Sequence, residues 1–171
     1  MELLELKENV LALFQTDIDH LGNALMETVT NNQTDKYDQF CQLVQNDLSV
    51  DWLQKIYQYY HADRKDKKQD YTPKCLADFM GRLLGEADIV IDMCAGSGAL
   101  IIQKWLQNPE QRFIAFEIDE NVIPYLLFNL AVRNIESCIY KSDVLSDKKS
   151  VSWNIKRGDK YGYITNFKSA L

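Results

Sequence analysis

The sequence predicts an α/β fold, an open sheet of about four strands behind an N-terminal helical region. Three observations carry that expectation. Residues 89–91 are a short apolar strand that runs through Asp92 into a turn with Gly96 and Gly98, and then into a new apolar stretch. Two further strand-like runs, 112–116 and 137–141, also lead into acids. Before residue 60, apolar side chains recur at three-to-four spacing and do not alternate, which is the helical period.

The helical region comes first. Leu3, Leu6, Val10, Phe14, Leu21, Leu25 and Val29 keep the helical spacing, with Ile18 between them. Thr34 or Asp35 caps a second helix carrying Phe40, Cys41, Val44 and Leu48. Ser49 is placed to cap a third, with Trp52, Leu53, Ile56, Tyr57 and Tyr60. Residues 1–62 read as a bundle that covers the sheet, with a partner or DNA-docking role as the other reading. The polar stretch 63–70 reads as a linker, and 71–171 as the sheet domain. Thr72 and Pro73 suit an N-cap and a first helical position. The helix they open carries Leu76, Phe79, Met80, Leu83 and Leu84 on one stripe and ends at Gly85.

The glycine turn after Asp92 is the most informative segment. Strand, glycine turn, helix is the nucleotide-cradling corner of α/β folds. A dinucleotide site wants a third glycine so that the helix start can approach a pyrophosphate, and here that position is Ile101. A P-loop Gly-Lys-Ser/Thr is also missing. What remains is a carboxylate at the strand end, which repels phosphate and suits a cation. S-adenosylmethionine carries an ammonium and a sulfonium and no phosphate, so the loop reads as a site for it. The helix after the loop runs from Ser97 to about Leu106 and stops at Asn108-Pro109. The second strand ends in Glu117-Ile118-Asp119, and Glu117 stands where a ribose-hydroxyl ligand is expected. Asp119 suits the capping of the next helix, near Glu120. The third strand leads to Asp143, an acid placed to accept from an adenine amino group.

These residues resemble the N-6 adenine-specific DNA methyltransferases, in particular the modification subunits of type I restriction-modification systems. The likeness spans about residues 69–145. It rests on Tyr71-Thr72-Pro73, on Asp92-Met93-Cys94-Ala95-Gly96-Ser97-Gly98, on Phe116-Glu117-Ile118-Asp119, and on the helix holding Asn129-Leu130 and closing at Asn134. The resemblance implies a Rossmann-like methyltransferase sheet and S-adenosyl-L-methionine as cofactor. It implies Tyr71, Thr72 and Pro73 near the methionine end, and Asp92, Ala95, Gly96 and Gly98 in the cofactor loop. It further implies Glu117 on the ribose, with Asp143 and Val144 beside the adenine. The implied substrate is adenine in DNA, read with a separate specificity subunit. A second methyltransferase subunit or a homodimer is the other partner expectation.

One part of the family pattern is missing. Its Asn-Pro-Pro-Tyr or Asp-Pro-Pro-Phe motif accepts the adenine amino hydrogens and stacks on the flipped base. The chain's three prolines are Pro73, Pro109 and Pro124, none of them after Asp143. The fourth strand, expected at 161–165, leads into Asn166 and Phe167, weak candidates for that place to which no catalysis is assigned. The family implies seven strands against about four here. A fragment, a degenerate paralogue and one half of a split system all remain open. So do a non-catalytic cofactor-binding or interaction subunit and a methyltransferase for RNA or protein. An exposed sheet edge favours pairing, and hence a partner or dimer.

Composition bounds these readings. Residues 1–60 hold 3 Lys/Arg against 10 Asp/Glu, whereas 61–171 hold 16 against 15, so the helical part would repel DNA. The basic runs, Arg64–Lys68, Lys148-Lys149 and Lys156-Arg157, fall short of the footprint of a stand-alone DNA binder. Cys41, Cys75, Cys94 and Cys138 are scattered, which fits a reduced, cytoplasmic setting; Cys94 reads as a small packing residue in the loop. His20 and His61 have no ligand cluster around them, so no metal site is expected. The acidic start is unlike a signal peptide, and no apolar run approaches the roughly 18 residues of a membrane span.

Overall fold

The computed structural model describes residues 2–61, 72–146 and 151–168, with backbone alone at 166–168. The proposed linker 63–70, Tyr71 and two of the basic runs, Arg64–Lys68 and Lys148-Lys149, lie outside the described residues. Among the described residues, seven helices and five strands form an α/β arrangement. They are α1 Leu3–Phe14, α2 Leu21–Thr30, α3 Thr34–Leu43, α4 Trp52–Tyr60 and α5 Lys74–Leu83. Then follow β1 Ile89–Asp92, α6 Ala99–Gln107, β2 Arg112–Glu117, α7 Ile123–Val132 and β3 Ser137–Lys141. The chain closes with β4 Val151–Lys156 and β5 Tyr163–Lys168.

The sheet order is β1-β2-β3-β4-β5. β1, β2 and β3 are parallel, and β4 and β5 each run antiparallel to the strand before them. The sheet therefore has five strands and not about four. β4 was hidden because its flanking lysines read as basic runs, while Val151, Trp153 and Ile155 alternate with polar residues as a half-buried strand should. The last strand begins at Tyr163, two residues after the expected start. Tyr161 is instead buried in the turn before it, and its hydroxyl donates to Asp38 at 2.7 Å.

Parallel strands laid side by side in chain order have right-handed crossovers, which put α6 and α7 on one face. That face holds Phe113, Ala115, Ile139, Trp153 and Ile155, all buried. The opposite face carries Ile91, Ile114, Cys138 and Asn154, exposed or half-buried. Every residue of α7 is buried. A helix apolar all round needs cover on all sides, and the N-terminal helices supply the outer side. Phe128 of α7 meets Phe14, Tyr37 and Phe40 edge-on at 5.1–5.4 Å. The helices thus cover α7, which in turn covers the sheet, and one continuous core runs from Leu6 to Tyr161.

The expected first long helix is two. Gln15 takes a left-handed conformation (φ 52°), and Thr16 N–H donates back to Leu11 at 3.1 Å, which ends α1. The N-cap of α4 is Asp51, not Ser49; its side chain accepts from Gln54 N–H at 2.9 Å. In α5 the cap position belongs to Pro73, and Thr72 lies one residue before it. Gly85 ends this helix with φ 64°, as the sequence suggests. Its apolar stripe does not face α6, however. Ala77 and Gly81 do, and Leu76, Phe79, Leu83 and Leu84 are exposed. A Cβ at Gly81 would lie 2.8 Å from Gln107 Nε2 and 3.4 Å from the α6 backbone. Small residues, not large ones, set this close helix contact.

Candidate cofactor site

The site lies at the carboxyl ends of β1, β2 and β3, where open α/β sheets bind ligands. β1 delivers Asp92, and the turn after it passes Gly96 (φ 55°) and Gly98 (φ 98°) before α6 begins. Gly98 is needed twice over. Its φ lies in the left-handed region, and a Cβ there would sit 3.0 Å from Leu126 Cδ1 of α7. Ala95 N–H donates to the Phe116 carbonyl at 2.9 Å, which ties the loop to the end of β2.

The carboxylate of Glu117 reaches across to this loop. Its Oε2 accepts from Gly96 N–H at 2.8 Å and its Oε1 from Asp119 N–H at 2.8 Å. The neighbouring acid is less satisfied. Asp92 Oδ1 accepts from Cys94 N–H at 3.1 Å, whereas Oδ2 is buried with no partner among the described residues. Burial pushes the Asp92 carboxyl above the usual carboxylate range, and the nearby Glu117 charge pushes it the same way. Two acids and one orphaned oxygen at a strand end form a place for a cation that donates hydrogen bonds. A phosphate would be repelled there.

Asp143, two residues past β3, closes an Asx turn by accepting from Leu145 N–H at 3.0 Å, and Val144 is exposed beside it. Ser142 N–H donates to the Glu117 carbonyl at 3.0 Å, so this third strand end is fixed to the second. Met93 and Ile118 are exposed apolar residues at the ends of β1 and β2. Neither has a role in the motif pattern, although their place beside the acids is a signal the sequence carries. Cys94 is exposed at the start of the loop and does not pack there.

The other site expectations fall elsewhere. Thr72 and Pro73 line a cavity of about 260 Å³ with Asp51, Gln54, Ala99 and Gln103, beside the start of α6. Asn166 and Phe167 lie on β5, at the edge opposite β1. Phe167 shares a row with Trp153, Ile139, Ala115 and Asp92. At roughly 4.8 Å per strand, that row separates the Phe167 and Asp92 backbones by about 19 Å. Asp119 is buried, and it caps the turn before α7 by accepting from Asn121 N–H at 3.1 Å. Tyr57 of α4 donates to its other oxygen at 3.3 Å. Lys156 and Arg157 are engaged by Glu136 and Glu110.

Behind the loop stands a buried polar chain that sequence reasoning missed. Ser97 Oγ donates to Asp51 Oδ2 at 2.7 Å. Asn129 Nδ2 donates to Asp51 Oδ1 and to the Ser97 carbonyl, both at 2.9 Å. Arg133 Nη1 donates to Asn129 Oδ1 at 3.0 Å. The signal for Asp51 was present as Asp51 with Gln54 three residues on, the spacing of a capping box.

Among the described residues no helix is long and apolar enough to cross a membrane. Residues 48–160 match the family model described as N-6 DNA Methylase. No curated protein and no solved structure matches the chain.

Proposed function

This chain belongs to the N-6 DNA methylase family, and from that premise we propose that residues 1–171 are the cofactor-binding part of an N6-adenine DNA methyltransferase of the restriction-modification type. The cofactor is S-adenosyl-L-methionine. The observation that carries the proposal is the orphaned Asp92 Oδ2 beside the glycine loop, one strand from Glu117. A buried carboxylate oxygen without a donor costs free energy unless a ligand supplies one. The ammonium of a methionine moiety is such a ligand.

The residues present fit this cofactor. Asp92 holds the ammonium, Glu117 accepts from the ribose hydroxyls, and Gly96 and Gly98 let the ligand approach the backbone. Asp143 accepts from the adenine amino group, with Val144 and Ile118 as apolar walls. Thr72 and Pro73, which the resemblance sets near the methionine, line the cavity beside the start of α6. Bound there, the cofactor supplies an electrophilic methyl group. The sheet is then Rossmann-like, with β1 to β3 as its nucleotide-binding half. Acceptors for the target amino group are not among these residues, since no Asn/Asp-Pro-Pro stretch occurs in 1–171. They come from a polypeptide segment outside them. DNA is read by a partner subunit in the cytoplasm, which fits the acidic helical region.

A second reading is a non-catalytic cofactor-binding subunit, favoured by the distance of Asn166 and Phe167 from Asp92. Calorimetric titration with S-adenosylhomocysteine tests the shared claim. Micromolar binding, lost in Glu117→Ala, supports the site. No binding by the purified chain would refute it. Methyl transfer to DNA after addition of a polypeptide carrying the missing motif then separates the enzyme from the non-catalytic subunit.

A further inference from the structure

We propose that Asp51 is a positioning residue of the cofactor site, holding the glycine loop from behind through Ser97. The N-terminal helical region then takes part in the site and is more than its cover. The inference rests on the cofactor reading above.

The glycine loop needs an outside constraint. Gly96 and Gly98 both take positive φ, a conformation glycine adopts freely and leaves as freely. Ser97 between them is the one loop residue whose side chain is anchored. It is 1% exposed, and its hydroxyl reaches an acid 46 positions earlier in the chain. On the front of the loop, Gly96 N–H is held by Glu117. The loop is thus gripped on two sides, by the proposed ribose ligand and by Asp51.

The two oxygens of Asp51 divide the work. Oδ1 accepts from Gln54 N–H and from Asn129, which fixes the carboxylate to α4 and α7. Oδ2 is left for Ser97. Capping α4 requires only one oxygen and no burial, and a serine does it as well. A buried carboxylate is a costly way to cap a helix, but it is a strong acceptor for a hydroxyl that must not move. Arg133 completes the support. Its guanidinium donates to the Leu48 and Val50 carbonyls at 2.9 and 2.8 Å, fixing the chain just before Asp51. It also sets the Asn129 amide so that Nδ2 faces both Asp51 and the Ser97 carbonyl.

The test is a double-mutant cycle on S-adenosylhomocysteine affinity, with wild type, Asp51→Ala, Ser97→Ala and the double variant, and a thermal midpoint for each. Each single change is expected to weaken binding about tenfold or more. The double is expected to bind no more weakly than the worse single, because both break the same Ser97–Asp51 hydrogen bond. Loss of the α4 cap alone would lower the midpoint of Asp51→Ala in both backgrounds and leave affinity unmoved, which would overturn the proposal. Additive losses of affinity, or unchanged affinity in folded Ser97→Ala, would overturn it too; the latter holds even if Asp51→Ala does not fold. Wild type that fails to bind at all overturns the cofactor reading itself, and this role falls with it.

Discussion

Replacing Asp92 by Asn should make the apo protein more stable and its cofactor site worse. The amide keeps the shape and lets Oδ1 still accept from Cys94 N–H, 3.1 Å away in the wild type. What changes is Oδ2, the buried oxygen without a donor. A neutral Nδ2 in its place carries no charge against Glu117. Removing an unsatisfied buried charge is worth about 1 kcal/mol here, at the low end because the residue is half-buried and one oxygen is already bonded. For a domain of this size that is roughly 2–4 °C in Tm. The gain has a pH signature. The folded-state pKa of Asp92 is raised by burial and then by Glu117, so the wild type bears the cost only where the carboxyl ionises. The stabilisation should be full at neutral pH, fade as pH falls through the raised pKa, and vanish below the ordinary carboxylate value. Binding of S-adenosylhomocysteine should move the other way. Losing a charge-assisted partner for the ammonium costs about 1.5–3 kcal/mol, roughly tenfold to over a hundredfold in Kd. Scanning calorimetry across pH and isothermal titration at pH 7.5 read the two effects. A lower Tm with unchanged affinity would refute the assignment, because the carboxylate would then be structural.

Three further outcomes are expected. Glu117→Ala should weaken S-adenosylhomocysteine binding by about 1.5–3 kcal/mol and also lower Tm, since it releases the N–H groups of Gly96 and Asp119; titration of the folded variant decides. Gly98→Ala forces a Cβ into a left-handed backbone and against Leu126, at a cost of about 1–3 kcal/mol in urea unfolding; an unchanged midpoint would mean the loop relaxes freely. Cys94 is exposed at the loop, so in a Cys75→Ser background, which removes the other exposed thiol, S-adenosylhomocysteine at ten times Kd should slow its labelling by about tenfold. Equal labelling rates would place the ligand elsewhere.

The parallel strands were legible because each is a short apolar run closed by an acid or a turn. β1, β2 and β3 stand within a residue of their expected positions. The antiparallel end of the sheet was less so. Pattern alone does not say which strand lies beside which, and Asn166 appears well placed only if the strand before it is a neighbour of β1. The register puts it at the other edge, opposite Asn154. Helix boundaries shifted where capping was decided by side-chain reach. Ser49 and Asp51 are both good caps, but only the Asp51 carboxylate accepts from Gln54 N–H, while Ser49 bonds back to Asp47 at 2.6 Å.

The α5 stripe shows a limit of a different kind. Periodicity reports that Leu76, Phe79 and Leu83 share a face; it is silent on what that face meets. In this fold α5 approaches α6 through Ala77 and Gly81, because Gln103 and Gln107 leave room only for small residues. Side-chain volume at the contact decided the orientation against hydrophobicity. The same logic governs the site. That Asp92, Glu117 and Asp143 stand at neighbouring strand ends was legible, because each follows directly on its own apolar run. Asp51 was not, because its role depends on Asn129, 78 positions away, and on Arg133 beside it. A carboxylate inside an apolar bundle makes sense only once the fold brings its partners to it.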